Sequence, residues 1–148
     1  MLTLTNLSIA KNESPIVSDV SLHISQGEVQ VLMGPNGSGK STLALGLMGY
    51  PGYKMTGQAM IEERALQELS VDKRAKAGLF LSMQYPPALY GVTIFTFLKN
   101  AYQALGGQES LLQFRKTVDQ EAQRLGISSD MLARHVNSGF SGGERKRL

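Results

Sequence analysis

The feature that most constrains this chain is the stretch GPNGSGKST, which runs from Gly34 to Thr42. Its glycines and proline make it a poor interior for either a helix or a strand. It follows the apolar run EVQVLM and precedes TLALGLMG, whose apolar residues indicate a helix. The sequence therefore predicts a short buried strand over EVQVLM (Glu28 to Met33), then a glycine-rich loop, then a helix.

Residues 34 to 41 match the pattern G-x-x-x-x-G-K-[ST], with the flanking strand and helix that this pattern requires. Glycines let the backbone close around an anion, and the helix directs its positive N-terminal end into the same space. An ordinary glycine-rich turn is the alternative, which the agreement of pattern and flanks disfavours. The stretch therefore predicts a nucleoside triphosphate site. The predicted binding residues are Gly34, Pro35, Asn36, Gly37, Ser38, Gly39, Lys40, Ser41 and Thr42.

Two side chains of this loop have predicted chemical roles. Lys40 is expected to reach the β- and γ-phosphates and to act in catalysis, because its charge meets the charge of the transferred group. The Ser41 hydroxyl is expected to ligate Mg²⁺. The predicted cofactors are therefore the nucleotide and Mg²⁺.

Alternating apolar residues predict two strands near the start of the chain, LTLTNLSI and VSLHI, joined by turn residues into an antiparallel pair. PGYKMTG is then predicted as a loop and GQAMIE as a short strand. Ser70 is predicted to cap a helix over VDKRAKA that ends at Gly78. GLFLSM is predicted as another buried strand, which ends at Gln84. Residues 1–84 are thus predicted to form an α/β nucleotide-binding part.

The pattern becomes helical after a proline-broken loop, YPPALYG. Thr93 is predicted to cap a helix with an apolar face, and a second amphipathic helix is predicted from about Glu109 to Leu125. The apolar faces are Ile94, Phe97, Leu98, Ala101, Tyr102 and Leu105 in the first helix and Leu111, Phe114, Val118, Ala122 and Leu125 in the second. Residues 85–148 are therefore predicted to be a helical subdomain.

Composition excludes several kinds of site and partner. The chain has no cysteine, which excludes disulfides and thiolate metal sites and fits a cytoplasmic setting. Its net charge of +3 is concentrated in ERKRL at the end, so nucleic acid is not an expected partner. No run is apolar enough for a spanning helix, so membrane contact is expected only through a partner. His23 is expected to face solvent, and neither His23 nor His135 is a good candidate for a metal ligand.

Three features in this order resemble the nucleotide-binding domain of ABC ATPases. They are GPNGSGKST, Gln84 at the end of a predicted strand, and SGGE before a predicted helix. The resemblance implies an α/β P-loop NTPase with an N-terminal antiparallel β part, a RecA-like core and a helical subdomain. It implies that Gln84 contacts Mg²⁺ and the attacking water. It also implies that a second, head-to-tail protomer contacts the ATP through its signature motif, here Ser141, Gly142, Gly143 and Glu144.

Longer segments resemble one branch of that family, the SufC-type ATPases of the SUF iron–sulfur cluster assembly machinery. These segments are MGPNGSGKSTL, MTGQ, MQYPPALYGV and VNSGFSGGERKR. The resemblance implies scaffold subunits as partners, and we expect them to dock near Tyr85 to Tyr102, where aromatic residues favour an interface. Core packing within the helical part is the alternative role of this region. A subunit of a membrane transporter and a non-catalytic nucleotide-binding module are the alternatives.

The sequence departs from the family pattern in two places. Residues 10 to 18 contain no aromatic side chain to stack on adenine, and Ile16 or Val17 is expected to substitute. The apolar strand ending in Asp-Glu and the later switch histidine do not occur before Leu148. We therefore expect an incomplete RecA-like core, the front part of a longer protein, and both weak ATP binding and very slow hydrolysis by this chain alone.

Overall fold

The computed structural model describes residues 1–141 and 143 of the 148-residue chain. The chain divides into two compact units, one of residues 1–82 and one that begins at residue 83. Each unit has a hydrophobic cluster of its own.

The first unit is built on a four-stranded antiparallel sheet with the strand order β2-β1-β3-β4. Leu4 of β1 lies opposite Leu22 of β2 and Ala59 of β3, which places β1 between them. The predicted antiparallel pair at the start of the chain is therefore confirmed. The strands are β1 (Leu2–Lys11), β2 (Ser14–Ile24), β3 (Tyr53–Ile61) and β4 (Arg64–Ala65).

A bulge in β1 adjusts which side chains face the core. Leu4 and Leu7 are both buried although three positions separate them, and a regular strand would direct them to opposite faces. The register shifts between them, and Asn6 takes a left-handed conformation at φ 47°. The bulge therefore brings both leucines to one face, where they join Ile9 in the core.

One helix, α1 (Lys40–Met48), packs on this sheet through Leu43 and Leu47. Gly46 permits the close approach, since a Cβ there would lie 2.6 Å from Cδ1 of Ile9. The predicted helix after the glycine-rich stretch is confirmed. A 3-10 turn (Leu66–Glu68) and α2 (Val71–Lys76) complete the regular elements of this unit.

Two predicted strands are wrong, the one over Glu28 to Met33 and the one over Gly78 to Met83. Neither segment is a strand, and Val29 and Phe80 are each 87% exposed. A strand needs a neighbour to receive its backbone hydrogen bonds, and no described residue pairs with either segment. Apolar density thus indicated segments suited to a buried sheet without indicating whether a partner strand was present.

Two smaller predictions are also corrected. Strand β3 begins at Tyr53, within the predicted loop PGYKMTG, because Tyr53 pairs with Lys11 at the end of β1. Ser70 lies at the N-terminus of α2, but its hydroxyl donates to Asp72 and accepts no backbone N–H of the helix. The helix itself is where the sequence predicts it.

In the second unit the sequence predicted both longer helices, α3 (Ile94–Ala104) and α4 (Leu111–Arg124). Thr93 caps α3 by accepting the N–H of Thr96, and Ser110 caps α4 by accepting the N–H of Gln113. The other elements that the structure describes in this unit are the strands β5 (Leu89–Thr93) and β6 (His135–Val136), which pair with each other, and the short helix α5 (Ser129–Leu132). Among the helices that the structure describes, none is long and apolar enough to cross a membrane.

The predicted apolar faces of these helices are only partly buried. Ile94 of α3 and Phe114 and Ala122 of α4 are buried, and the Phe114 ring stacks on Tyr102 with 4.8 Å between ring centroids. Leu111 and Leu125, at the two ends of the predicted face of α4, are more than half exposed.

Leu7 provides the sharpest test of the first core because its side chain is 0% exposed. We expect Leu7→Ala to lower the free energy of unfolding by about 2–5 kcal/mol, since it removes buried methyl groups and leaves a cavity. Thr5→Ala, on an exposed position of the same strand, should cost roughly 0.5 kcal/mol or less. Urea unfolding of both variants checks this, and equal costs would contradict the assigned core.

Candidate functional site

The glycine-rich loop lies between the exposed segment that ends at Met33 and the first residue of α1, Lys40. Gly37 and Gly39 have φ angles of 83° and 92°, a left-handed conformation that glycine adopts without strain. The N–H of Ser38 donates to Pro35 O at 3.3 Å and closes a turn within the loop. The backbone therefore has the compact, glycine-dependent shape that the motif predicted.

The N-terminal end of α1 has no side-chain cap. Gly39 occupies the N-cap position, and the first turn of the helix contains no acidic residue. Backbone N–H groups in the first turn of a helix have no partner within the helix, and they carry the positive end of its dipole. Because none of the side chains placed by the structure caps or neutralises this end of α1, it is suited to bind an external anion such as phosphate.

Lys40 adds a positive charge at the same place. Its Nζ donates to Gly34 O at 2.8 Å and Pro35 O at 2.6 Å and lies 3.3 Å from Ser38 Oγ. These acceptors are neutral, and none of the ion pairs among the described residues includes Lys40. The ammonium group thus lies across the loop with its charge uncompensated, which favours an anionic ligand there.

The hydroxyl group of Ser41 lies in the first turn of α1, on an exposed residue next to Lys40. No cluster of three or more His, Asp or Glu residues in the described part of the chain could hold a metal ion. Mg²⁺ is commonly bound by one or two protein oxygens together with phosphate oxygens and water. A single hydroxyl beside the candidate phosphate site therefore fits Mg²⁺ bound with a nucleotide.

The start of β2 lies directly against the loop. A Cβ on Gly39 would be 2.8 Å from Cγ2 of Val17 and 3.4 Å from the backbone oxygen of Ile16. Val17 is buried, whereas Ile16 is 40% exposed. From the sequence we expected Ile16 or Val17 to take the place of an aromatic side chain that stacks on adenine. The structure places both residues at the edge of the loop.

The other predicted site residues lie outside the first unit. Gln84 is exposed in a bend. Ser141 and Gly143 of the signature motif are exposed, whereas Gly142 and Glu144 lie outside the described residues. The segment before Ser141 is anchored by Phe140, which is buried and covered by the Arg134 guanidinium at 4.5 Å from the ring centroid.

Sequence reasoning missed one residue, Arg74 of α2. Its side chain is 7% exposed and donates to Gly46 O and Leu47 O near the C-terminal end of α1. In the sequence Arg74 belongs to the charged run DKRAK, which is typical of a solvated helix face. No local pattern links it to residues 27 and 28 positions earlier, so this contact was visible only in the structure.

Comparison with known proteins identifies the family. The family model described as ABC transporter matches residues 17–148. The chain belongs to the ABC transporter family. It is an ABC-type ATPase domain, so the α/β P-loop class predicted from the motifs is confirmed.

Individual relatives of this ABC domain are similar along nearly its whole length. Vegetative protein 296 of Bacillus subtilis (strain 168) is 42% identical over 150 residues, which cover 99% of this chain and 58% of the relative. A probable ABC transporter ATP-binding protein of Streptococcus pyogenes serotype M3 is 40% identical over 151 residues, which cover 99% of this chain and 59% of the relative. The probable ATP-dependent transporter ycf16 of Antithamnion sp. is 39% identical over 153 residues, which cover 99% of this chain and 61% of the relative. The chain thus spans about three fifths of the length of these relatives.

The contact between the loop and β2 can be tested with two glycines of similar conformation. Gly39→Ala and Gly37→Ala both force alanine to a positive φ, but only the Cβ at Gly39 collides with Val17. We expect each to destabilise the protein by about 1–2 kcal/mol for the backbone, and Gly39→Ala by about 1 kcal/mol more for the collision.

Urea unfolding of the two variants measures this difference. In a Val17→Ala background the difference should shrink, because the colliding methyl group is gone. Equal costs for the two glycine variants in the unaltered background would contradict the packing of β2 against the loop.

Proposed function

We propose that the loop of residues 34–42 binds the phosphates of ATP together with Mg²⁺. Lys40 contacts the β- and γ-phosphates, the backbone N–H groups at the start of α1 surround them, and Ser41 ligates the metal ion. The observation that carries the proposal is the uncompensated ammonium of Lys40, held by neutral oxygens at the uncapped end of α1. A triphosphate supplies the negative charge that this arrangement lacks.

We further propose that the base lies against Ile16. Its side chain is 40% exposed at the edge of the loop, and it offers an apolar surface where an aromatic ring would stack on adenine. An aliphatic side chain provides contact area without the stacking energy of a ring. Most of the binding free energy is therefore assigned to the phosphates.

In the full-length protein we propose that ATP is hydrolysed between two head-to-tail copies. Water attacks the γ-phosphorus, the bond to the β-phosphate oxygen breaks, and ADP and inorganic phosphate leave. Gln84 is assigned to the metal ion and the attacking water, and Ser141, Gly142 and Gly143 of the second copy are assigned to the γ-phosphate. Lys40 stabilises the charge that develops on the transferred group.

We propose that ATP binding and hydrolysis drive conformational changes in a cytoplasmic iron–sulfur cluster assembly complex. ATP closes the pair of ATPase subunits, and closure rearranges the SUF scaffold subunits attached to them. Support comes from the SufC-like segments of the sequence, of which MQYPPALYGV overlaps the proposed docking region. A chain without cysteine fits this role, since the cluster would be built on its partners.

Docking is assigned to the region from Tyr85 to Tyr102. Tyr85 and Tyr90 are 82% and 79% exposed, and exposed tyrosines are common anchors of protein interfaces. The loop between them is held within its unit, because Asn137 Nδ2 donates to Pro87 O at 2.9 Å. A held loop with exposed aromatic rings loses little conformational entropy on binding.

A second candidate function is the ATPase subunit of a membrane transporter, which the names of the streptococcal and Antithamnion relatives favour. It uses the same ATP chemistry and differs in what docks near Tyr85. Copurification of the native protein distinguishes the two functions. Recovery of scaffold proteins without spanning helices favours the first function, and recovery of polytopic membrane proteins favours the second.

The role of Lys40 is tested by Lys40→Ala in the full-length protein, with Lys54→Ala as the matched control. Lys54 is an exposed lysine of the same unit that pairs with Glu13 on the surface. We expect Lys40→Ala to weaken MgATP binding by roughly 10- to 100-fold, because a charge-assisted contact to phosphate is lost. Lys54→Ala should leave the dissociation constant unchanged, and an unchanged constant for Lys40→Ala would remove the basis of the proposal.

The docking region is tested by the double variant Tyr85→Ala/Tyr90→Ala. We expect it to reduce copurification of the partner at least about tenfold, because interface tyrosines often contribute more than 1 kcal/mol each. Tyr50→Ala, which changes a 44% exposed tyrosine of the first unit, serves as the control. Partner recovery that is the same for all three proteins would place the docking surface elsewhere.

A further inference from the structure

Arg74 is a buried charge that the proposed phosphate site does not use. Its guanidinium donates from Nη1 to Leu47 O at 2.8 Å and to Gly46 O at 3.2 Å, and from Nε to Leu69 O at 2.9 Å. Burial lowers the pKa of this guanidinium, yet an arginine side chain stays protonated at physiological pH. A permanent positive charge therefore lies inside the first unit.

The charge is compensated by backbone carbonyls. None of the ion pairs among the described residues includes Arg74. Gly46 and Leu47 lie in the last turn of α1, where carbonyl groups lack helical partners and carry the negative end of the helix dipole. Arg74 is thus a cationic cap on the helix whose other end begins with Lys40.

The end of α1 is shaped to receive this side chain. Gly49 follows the helix with φ 79°, and its N–H donates to Gly46 O at 2.9 Å. A Cβ on Gly49 would lie 2.8 Å from Nη1 of Arg74 and 3.0 Å from Cζ. Gly49 therefore serves both to end the helix and to leave room for the guanidinium.

We propose that Arg74 is a positioning residue for the nucleotide, which it affects through α1. The helix is short, with nine residues, so a shift of its C-terminal end changes the direction in which its first turn points. That first turn contains Lys40 and Ser41, and small displacements of groups that contact phosphate weaken binding strongly. Three hydrogen bonds from one rigid guanidinium hold the end of α1 against the chain at Leu69. This inference rests on the proposed binding of ATP by the loop.

The test measures the dissociation constant of MgATP for the full-length protein by displacement of a fluorescent nucleotide. We expect Arg74→Met, which keeps the apolar stem and removes the charge, to weaken binding roughly tenfold. Arg74→Lys should recover part of the loss, because it restores the charge without the planar fork. Lys76→Met, at an exposed position of the same helix, is the matched control and should bind MgATP like the unaltered protein.

Two further variants separate positioning from general stability. Leu66→Ala truncates a fully buried core residue outside α1, so it lowers stability and should leave the dissociation constant unchanged below the unfolding transition. In a Lys40→Ala background, Arg74→Met should weaken binding much less than it does alone, because its effect passes through α1 and Lys40.

The inference is overturned if folded Arg74→Met binds MgATP like the unaltered protein, or if its effect and that of Lys40→Ala are additive. If Arg74→Met does not fold, Arg74→Lys and Gly49→Ala test the inference instead, because both disturb the guanidinium site. Both must then weaken MgATP binding, and unchanged binding in either variant overturns the inference. Failure of the proposed function looks different, because then the unaltered protein and Lys40→Ala bind MgATP equally weakly.

Discussion

The packing of α1 on the antiparallel sheet is the interaction on which the candidate site depends. Gly46 lets the helix approach Ile9, Gly39 lets the loop approach Val17, and Arg74 holds the far end of the helix. Each contact requires either the absence of a Cβ or a buried hydrogen-bonding side chain, so the position of α1 is specified along its whole length. The geometry of the proposed phosphate site therefore follows from how one short helix is held, in addition to the glycines of the loop itself.

Local chemistry explains which elements could be predicted from sequence. The loop, α1, the first two strands and the capped helices α3 and α4 carry glycine, alternation or capping signals within a few residues. The segments at Glu28 to Met33 and Gly78 to Met83 carry the apolar density of strands, but a strand also requires a neighbour. Pairing depends on residues distant in sequence, so density alone could not show that these segments are exposed and that no strand in the described part of the chain pairs with them.

The residues of the candidate site also differ in whether local sequence could predict them. Lys40 and Ser41 were identified from an eight-position pattern because their roles depend on neighbours in sequence. The family resemblance predicted only that Ile16 or Val17 takes the place of an aromatic residue against adenine, and it did not predict their contact with the loop. Arg74 was missed because two of its acceptors, Gly46 O and Leu47 O, lie in another helix. Membership in the ABC transporter family, matched over residues 17–148, agrees with the pattern and adds nothing about how α1 is held.

The most direct test of the central claim is a titration of the isotopically labelled full-length protein with MgATP, followed by the backbone amide resonances. If the uncapped end of α1 binds the phosphates, the amides of Gly37, Gly39, Lys40 and Ser41 will show the largest shifts and will saturate together. Amides of the exposed outer face of β1 will move little. Saturable shifts elsewhere with these four amides unmoved would contradict a phosphate site at the glycine-rich loop.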